Sequence, residues 1–395
     1  MTTAETTIER PETAFKMITE LRIKNFRLFK NLFLERLSRV NLFVGKNNSG
    51  KTSLLEAVRV YAADAAPRDL LDIIIGRGEL PSSEKDLKEQ TFKDYTDEND
   101  NPFKLLFNGF RFPNAGEEGI EIVTNQKELR IVTKYFRYVE ADYYPPKQVV
   151  AYFDTPSSGT VFGKRVLISQ IFNIPDDLKK DKIGGRFLGI LSDTGSFIEH
   201  PAHFKNVYFP IHMLYIPSML LNEETARSLW NEINMTETED EVTKCLQIIE
   251  PGIIKFGYKR ILGRETPVVR LEGANNPIPL KTMGEGMARL LNVILAMLNA
   301  KSGLLIIDEF ENGLHWSIEN KIWDMVFRLA ESLNVQVFAT THSMDCIKGF
   351  YKAWAKYEEL GSLYRLDPDP EDGVYARKYT IGILSDSLDV RGEVR

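Results

Sequence analysis

The stretch Gly45, Lys46, Asn47, Asn48, Ser49, Gly50, Lys51, Thr52 constrains this 395-residue chain more than any other feature, because it fits the G-x-x-x-x-G-K-[ST] phosphate-binding pattern. Such a loop turns successive backbone N–H groups onto phosphate oxygens, while its lysine reaches the terminal phosphates and its last hydroxyl ligates Mg²⁺. The flanks agree with that use. Val40, Asn41, Leu42, Phe43 and Val44 read as a buried strand, and residues 51–63 as a helix with Leu54, Leu55, Val58 and Tyr61 on one face. A helix N-terminus then points at the phosphates, where its partial positive charge favours an anion. Gly45, Asn47, Asn48, Ser49, Gly50, Lys51, Thr52 and Ser53 are therefore the expected nucleotide-binding residues, with Thr52 a metal ligand.

A second element lies far down the chain, where the apolar run Leu304, Leu305, Ile306, Ile307 ends in Asp308 and Glu309. Alone, this is an ordinary buried strand with two acids at its end. Paired with the loop, it supplies the acid that phosphoryl transfer needs to hold magnesium. ATP and Mg²⁺ are the expected cofactors.

The charge balance narrows the partners. Acidic residues outnumber Lys and Arg by 56 to 50, a formal charge of −6, so the whole chain has no positive field to recommend it to nucleic acid. Local basic clusters at Lys179, Lys180, Lys182 and at Lys255, Lys259, Arg260, Arg264 read first as solvated faces. Cys245 and Cys346 make no disulfide framework and fit a reducing cytoplasm. The longest apolar stretch, from Leu290 to Leu298, is far short of a membrane span, and the N-terminus lacks a signal-peptide pattern. A cytoplasmic protein with no membrane contact is expected.

Along the chain, residues 1–15 read as a disordered terminus, and residues 16–70 with 277–395 as an α/β nucleotide-binding core. Residues 71–175 read as an exposed insertion followed by an antiparallel β arm, from the alternation of Ile120, Ile122, Leu129, Ile131, Thr133 and Tyr135. Residues 176–276 read as a mainly helical insertion, with two helices between Glu223 and Ile249 broken near Thr236. The tail, with strands at Leu363 to Leu366 and Tyr375 to Tyr379, reads as a hairpin closing the core.

Several further elements follow the order of a known machine. Lys281, Thr282, Met283, Gly284, Glu285 and Gly286 precede a strongly apolar helix from Met287 to Ala300, which makes either a plain glycine cap or a second anion-facing helix end. After Glu309 come Phe310, Glu311, Asn312, Gly313, Leu314, His315 and a helix from Trp316 to Leu333; the next strand, Val335 to Ala339, ends at Thr340, Thr341, His342 and Ser343. With these residues the chain resembles the ABC-type ATPase heads of chromosome-maintenance, recombination-repair and OLD (overcoming lysogenization defect) proteins. It looks most like bacterial AAA-family ATPases of the OLD-like branch, common in antiphage defence operons. The resemblance covers roughly Ile18 to Ala63 and Pro279 to Lys348.

That resemblance implies a P-loop NTPase fold of the ABC-ATPase head type, a mixed sheet flanked by helices. It implies that Asp308 holds magnesium, that Glu309 is general base on the attacking water, and that His342 senses the γ-phosphate. Asn312 to His315 would contact a partner subunit, and Thr282, Gly284, Glu285 and Gly286 would stand in for the signature loop that covers the partner's ATP, although its usual first glycine is Met283 here. Asn25, Phe26 and Arg27 match a motif whose arginine often reaches nucleotide, with a surface arginine at a strand end as the alternative. The lid glutamine could be Gln90, Gln126 or Gln148. His200, His203 and His212 have no metal-ligand company.

In this family the sites are shared, so a homodimer or higher assembly is expected. OLD-family nucleases carry a TOPRIM domain after this core, and too little chain follows His342 for one. The resemblance therefore implies a sensor or scaffold ATPase that controls a separately encoded effector, a TOPRIM-type nuclease or a toxin. The competing expectation is a DNA-repair ATPase that clamps DNA directly; a transporter subunit is disfavoured by the wide separation of Lys51 and Asp308 and by the degenerate signature.

Overall fold

The computed structural model describes residues 15–79, 102–139, 148–153, 165–173, 182–190, 210–389 and 394. Two sheets enclose one helix, and that arrangement positions the phosphate loop. The strands are β1 (Glu20–Phe26), β2 (Phe29–Glu35), β3 (Val40–Val44), β4 (Ile120–Thr124), β5 (Lys127–Val139), β6 (Gln148–Phe153), β7 (Arg165–Asn173), β8 (Lys182–Ile190) and β9 (Met213–Ile216). They continue with β10 (Ile253–Ile261), β11 (Arg264–Leu271), β12 (Ile278–Pro279), β13 (Leu304–Ile307), β14 (Gln336–Thr340), β15 (Gly361–Asp369) and β16 (Gly373–Tyr379). The helices are α1 (Lys51–Ala62), α2 (Pro67–Gly76), α3 (Glu223–Ile233), α4 (Glu239–Leu246), α5 (Glu285–Asn299), α6 (Trp316–Ser332), α7 (Met344–Trp354) and α8 (Ile381–Asp389).

The central sheet runs in the order β16-β15-β3-β14-β13-β9, parallel throughout except for the β15–β16 hairpin. Its strands are buried on both faces, which is why they read as continuous apolar runs. Alternate residues serve different cores. Leu42, Val44, Leu305 and Ile307 pack with α5, α6 and α7 on one face. Phe43, Leu304, Ile306, Phe338 and Tyr364 pack with α1 on the other. The rings of Phe43, Phe338 and Tyr364 stack across three adjacent strands, at 6.1 and 5.7 Å between centroids.

Helix α1 is buried on nearly every side because a second, antiparallel sheet covers it, in the order β2-β1-β4-β5-β7-β8 with β6 also paired to β5. The strands expected as a separate β arm are thus continuous with β1 and β2: Ile23 stands opposite Leu32 on one side and Ile122 on the other. The unpaired edge of β1 recruits β4, and their shared inward residues close over α1.

Residues 176–276 depart furthest from expectation. Helices α3 and α4 lie on either side of Thr236, but the segment also contains β10 and β11, and β9 is a strand of the central sheet, paired in parallel with β13. The described residues of 176–276 are therefore neither mainly helical nor separate from the core. A four-residue apolar run before Pro217 is too short for periodicity to separate strand from helix. Most of the stretch 76–101, the terminus 1–14, Lys179, Lys180, His200, His203 and Gln90 lie outside the described residues. No described helix is long and apolar enough to cross a membrane.

Candidate nucleotide-binding site

The phosphate loop links β3 to α1 at the C-terminal edge of the central sheet, where doubly wound α/β folds bind ligands. Its backbone takes left-handed conformations at Gly45 (φ 148°), Asn48 (φ 66°) and Gly50 (φ 95°). A Cβ on Gly45 would come within 2.6 Å of the Leu366 carbonyl oxygen, and one on Gly50 within 2.9 Å of the Phe29 ring. Both glycines are dictated by close approach as well as by φ.

Lys51 folds back into its own loop. Its Nζ donates to the carbonyl oxygens of Gly45 at 2.7 Å and Lys46 at 2.8 Å, and lies 3.5 Å from Ser49 Oγ. Burial lowers its pKa to about 8, against the opposing pull of Asp308, Glu309 and Glu311. A buried ammonium held by carbonyls at this point is poised to exchange them for phosphate oxygens.

Asp308 sits across from the first turn of α1. Its Oδ2 accepts from Thr52 Oγ1 at 3.3 Å and its Oδ1 from Thr340 Oγ1 at 2.6 Å; Thr340 Oγ1 in turn accepts the Glu309 N–H at 2.9 Å. Thr340, at the end of β14, thereby orients both acids, and the sequence reading gave it no role. Its only signal is position, a hydroxyl at the end of the strand between β3 and β13.

The two oxygens of Thr52 and Asp308 fit a magnesium ion, which takes one or two protein oxygens and keeps its other positions for phosphate and water. Among the described residues no cluster of three or more His, Cys, Asp or Glu forms a protein-only metal cage, in keeping with that mode.

Glu309 adopts φ 48°, an uncommon conformation for a residue with a side chain. Its Oε2 accepts from Asn312 Nδ2 at 2.6 Å, and its Oε1 lies 3.8 Å from His342 Nε2, both side chains being about one-third exposed. The His342 N–H donates to Glu311 Oε1 at 2.7 Å. Burial, then the neighbouring Lys51, lowers the His342 pKa.

The loop before α5 is open. Thr282, Gly284 and Glu285 are exposed, Thr282 Oγ1 donates to the Pro279 carbonyl at 2.7 Å, and Gly284 (φ 99°) has free space where a side chain would stand. Gly286 is different: a Cβ there would lie 2.9 Å from the Gly313 carbonyl oxygen, so this loop and the Asn312–His315 loop meet backbone to backbone. His315 caps α6, its Nδ1 accepting from the Ser317 N–H at 3.4 Å and lying 2.8 Å from Ser317 Oγ.

Arg27 is not a surface residue at a strand end. It is buried, with Nε 2.8 Å from Glu56 Oε2 and Nη1 2.7 Å from Glu79 Oε1, and Arg77 pairs with the other oxygen of Glu56 at 2.6 Å. Its Nε and Nη1 thus face carboxylates on α1 and just after α2. Gln126, in the turn between β4 and β5, donates from Nε2 to the Lys16 carbonyl ahead of β1, and the Gln148 side chain lies outside the described residues.

Two family models match the chain: an AAA domain, putative AbiEii toxin, Type IV TA system, over residues 202–345, and an AAA ATPase domain over residues 17–142. The chain is 24% identical over 358 residues to an ATP/GTP phosphatase of Helicobacter pylori, covering 84% of this chain and 87% of that protein. It is 44% identical over 45 residues, 11% of this chain and 12% of the relative, to the DNA replication and repair protein RecF of Bacillus mycoides. Among solved structures, the SMC head domain from Thermotoga maritima aligns over 92% of this chain and 99% of that domain, with 10% identity and a TM-score of 0.41. The AAA ATPase domain match over residues 17–142 holds the Gly45–Thr52 loop, and the AAA domain match over residues 202–345 holds Asp308, Glu309 and His342.

Proposed function

We propose that this chain is an ATP-driven switch whose sites are completed by a second copy, and that the closed assembly controls a separately encoded effector, a nuclease or toxin, in antiphage defence. The observation that carries the catalytic part is the convergence of Thr52, Asp308 and Glu309, tied together by the Thr340 hydroxyl. Gly45, Asn47, Asn48, Ser49, Gly50 and Ser53 cradle the phosphates. Lys51 moves from carbonyl oxygens to phosphate oxygens, and Thr52 with Asp308 would hold Mg²⁺, which neutralises charge on the β- and γ-phosphates. Glu309 orients the attacking water and takes its proton, and His342 contacts the γ-phosphate from the same side.

Completion by a second copy is supported by the open loop Thr282, Gly284, Glu285, whose helix N-terminus receives no side-chain cap among the described residues. Met219 and Trp316, 78% and 65% exposed, flank the same region and suit a covered surface better than water. The description of the model matched over residues 202–345, an AAA domain assigned to a Type IV TA system, supports action together with a second component. The 45-residue likeness to RecF favours a second reading, direct clamping of DNA.

Glu309→Gln tests the catalytic part: ATP binding is retained while turnover falls about 100-fold or more, the scale of a lost general base. Parental turnover by that variant would remove Glu309 from the mechanism. A pull-down from the native host separates the other readings. A small protein that travels with the ATPase supports effector control, and hydrolysis stimulated by plain duplex DNA supports the clamp.

A further inference from the structure

We propose that Arg289 is a positioning residue for hydrolysis, holding the backbone of the Asp308–Glu309 pair and joining it to the helix that carries the Thr282–Gly286 loop. The proposal rests on the ATPase reading of Glu309 and extends it.

Arg289 and Asn292 are the polar residues in the otherwise apolar run of α5 from Met287 to Leu298, and Arg289 is 1% exposed. Among the described residues no carboxylate lies within salt-bridge distance of its guanidinium. Its partners are main-chain carbonyls instead: Nη1 donates to Pro217 at 2.8 Å and Met219 at 3.1 Å, and Nη2 to Asp308 at 3.0 Å and Glu309 at 3.1 Å. A leucine would serve packing alone at lower cost, as Leu290 and Leu291 do beside it; a buried cation needs a reason.

The reason lies in Glu309. Its left-handed backbone is strained for a residue with a Cβ and persists only where the surroundings over-determine it. Arg289 grips the peptide groups on either side of that conformation. Asn312 grips the carboxylate, and it also donates to the Ser218 carbonyl at 3.0 Å. Three consecutive carbonyls after β9, at Pro217, Ser218 and Met219, are thus the anchor from which Arg289 and Asn312 hold opposite ends of the same glutamate. Behind Arg289, Gly313 sits 3.6 Å from its Cβ when given a virtual Cβ of its own, and Gly286 abuts Gly313. The open loop, the Asn312–His315 loop and Glu309 therefore form one packed unit, so a displacement of the loop on engaging another copy is transmitted to the base.

The test compares the full-length parent, Arg289→Lys, Glu309→Gln and the double variant by equilibrium ATP binding and single-turnover hydrolysis. Rates are taken per ATP bound, so that any unfolded fraction drops out. A lysine keeps the charge but cannot span four carbonyls. Arg289→Lys should bind ATP within about two-fold of the parent and hydrolyse it roughly 10- to 100-fold more slowly, the cost of a slightly misplaced catalytic group. The double variant should be no slower than Glu309→Gln alone, because both changes act on one group. A parental rate for Arg289→Lys, or losses that multiply in the double variant, would overturn the positioning role. Parental hydrolysis by Glu309→Gln would instead overturn the catalytic reading beneath it.

Discussion

Lys51 is a buried ammonium held by neutral carbonyl oxygens, and its titration should report that. Its folded pKa, about 8, lies below its ordinary 10.5 because burial disfavours the charged form. Between those values the unfolded chain binds the proton and the folded chain does not, so this residue's contribution to stability rises with pH across the window and is least favourable below it. Phosphate oxygens reverse the shift. ATP binding at pH 9 should therefore take up protons, detected as a buffer-dependent heat by calorimetry, and should take up none through this residue at pH 6.5. Gly45→Ala offers a second residue-scale check. Its φ of 148° costs roughly 1–3 kcal/mol for any other residue, and its Cβ would strike the Leu366 carbonyl, so thermal stability and ATP binding should both fall. Unchanged melting and affinity would contradict the close approach. Lys51, Thr52, Asp308 and Glu309 were legible because motif spacing and strand context are local properties. Thr340 and Arg289 were not, because their roles exist only through contacts with residues 31 and 19 positions away or further.

At the scale of elements, the acidic end of β13 is braced by the pair α6 and α7. Phe310, between the two acids Glu309 and Glu311, stacks on Trp323 of α6 at 3.8 Å, and Phe350 of α7 meets the same indole edge-on at 5.0 Å. Trp323→Ala should cost about 3–5 kcal/mol of stability, measured by denaturant unfolding, and should slow hydrolysis through loss of the brace under Glu309. A loss below about 1 kcal/mol would mean the cluster is not packed as described. Helices α3 to α6 declared themselves by their apolar period, whereas α7 was not anticipated; its start is fixed by Ser343, whose side chain accepts a backbone N–H as Asn222 does before α3. Strand β9 did not, since Met213–Ile216 offers four apolar residues and no period. The β1–β4 pairing also escaped the sequence reading: alternation identifies a strand and its inward face but not the neighbour it joins.

For the whole molecule, one sheet holds the Gly45–Thr52 loop at its edge while the other covers α1, and the proposed contact with another copy falls on the loop before α5 and the Asn312–His315 loop. Shared sites require that hydrolysis per chain rise with protein concentration; a constant specific rate over a wide dilution range would contradict them. The most direct measurement is subunit mixing. Glu309→Gln removes the base, and Gly284→Asp places a negative charge where the partner's phosphates would sit, so each variant alone should be nearly inactive. Mixed in equal amounts, they should regain about a quarter of parental turnover, because half the dimers are mixed and each of those holds one intact site of two. A mixture no more active than its components would contradict the composite site.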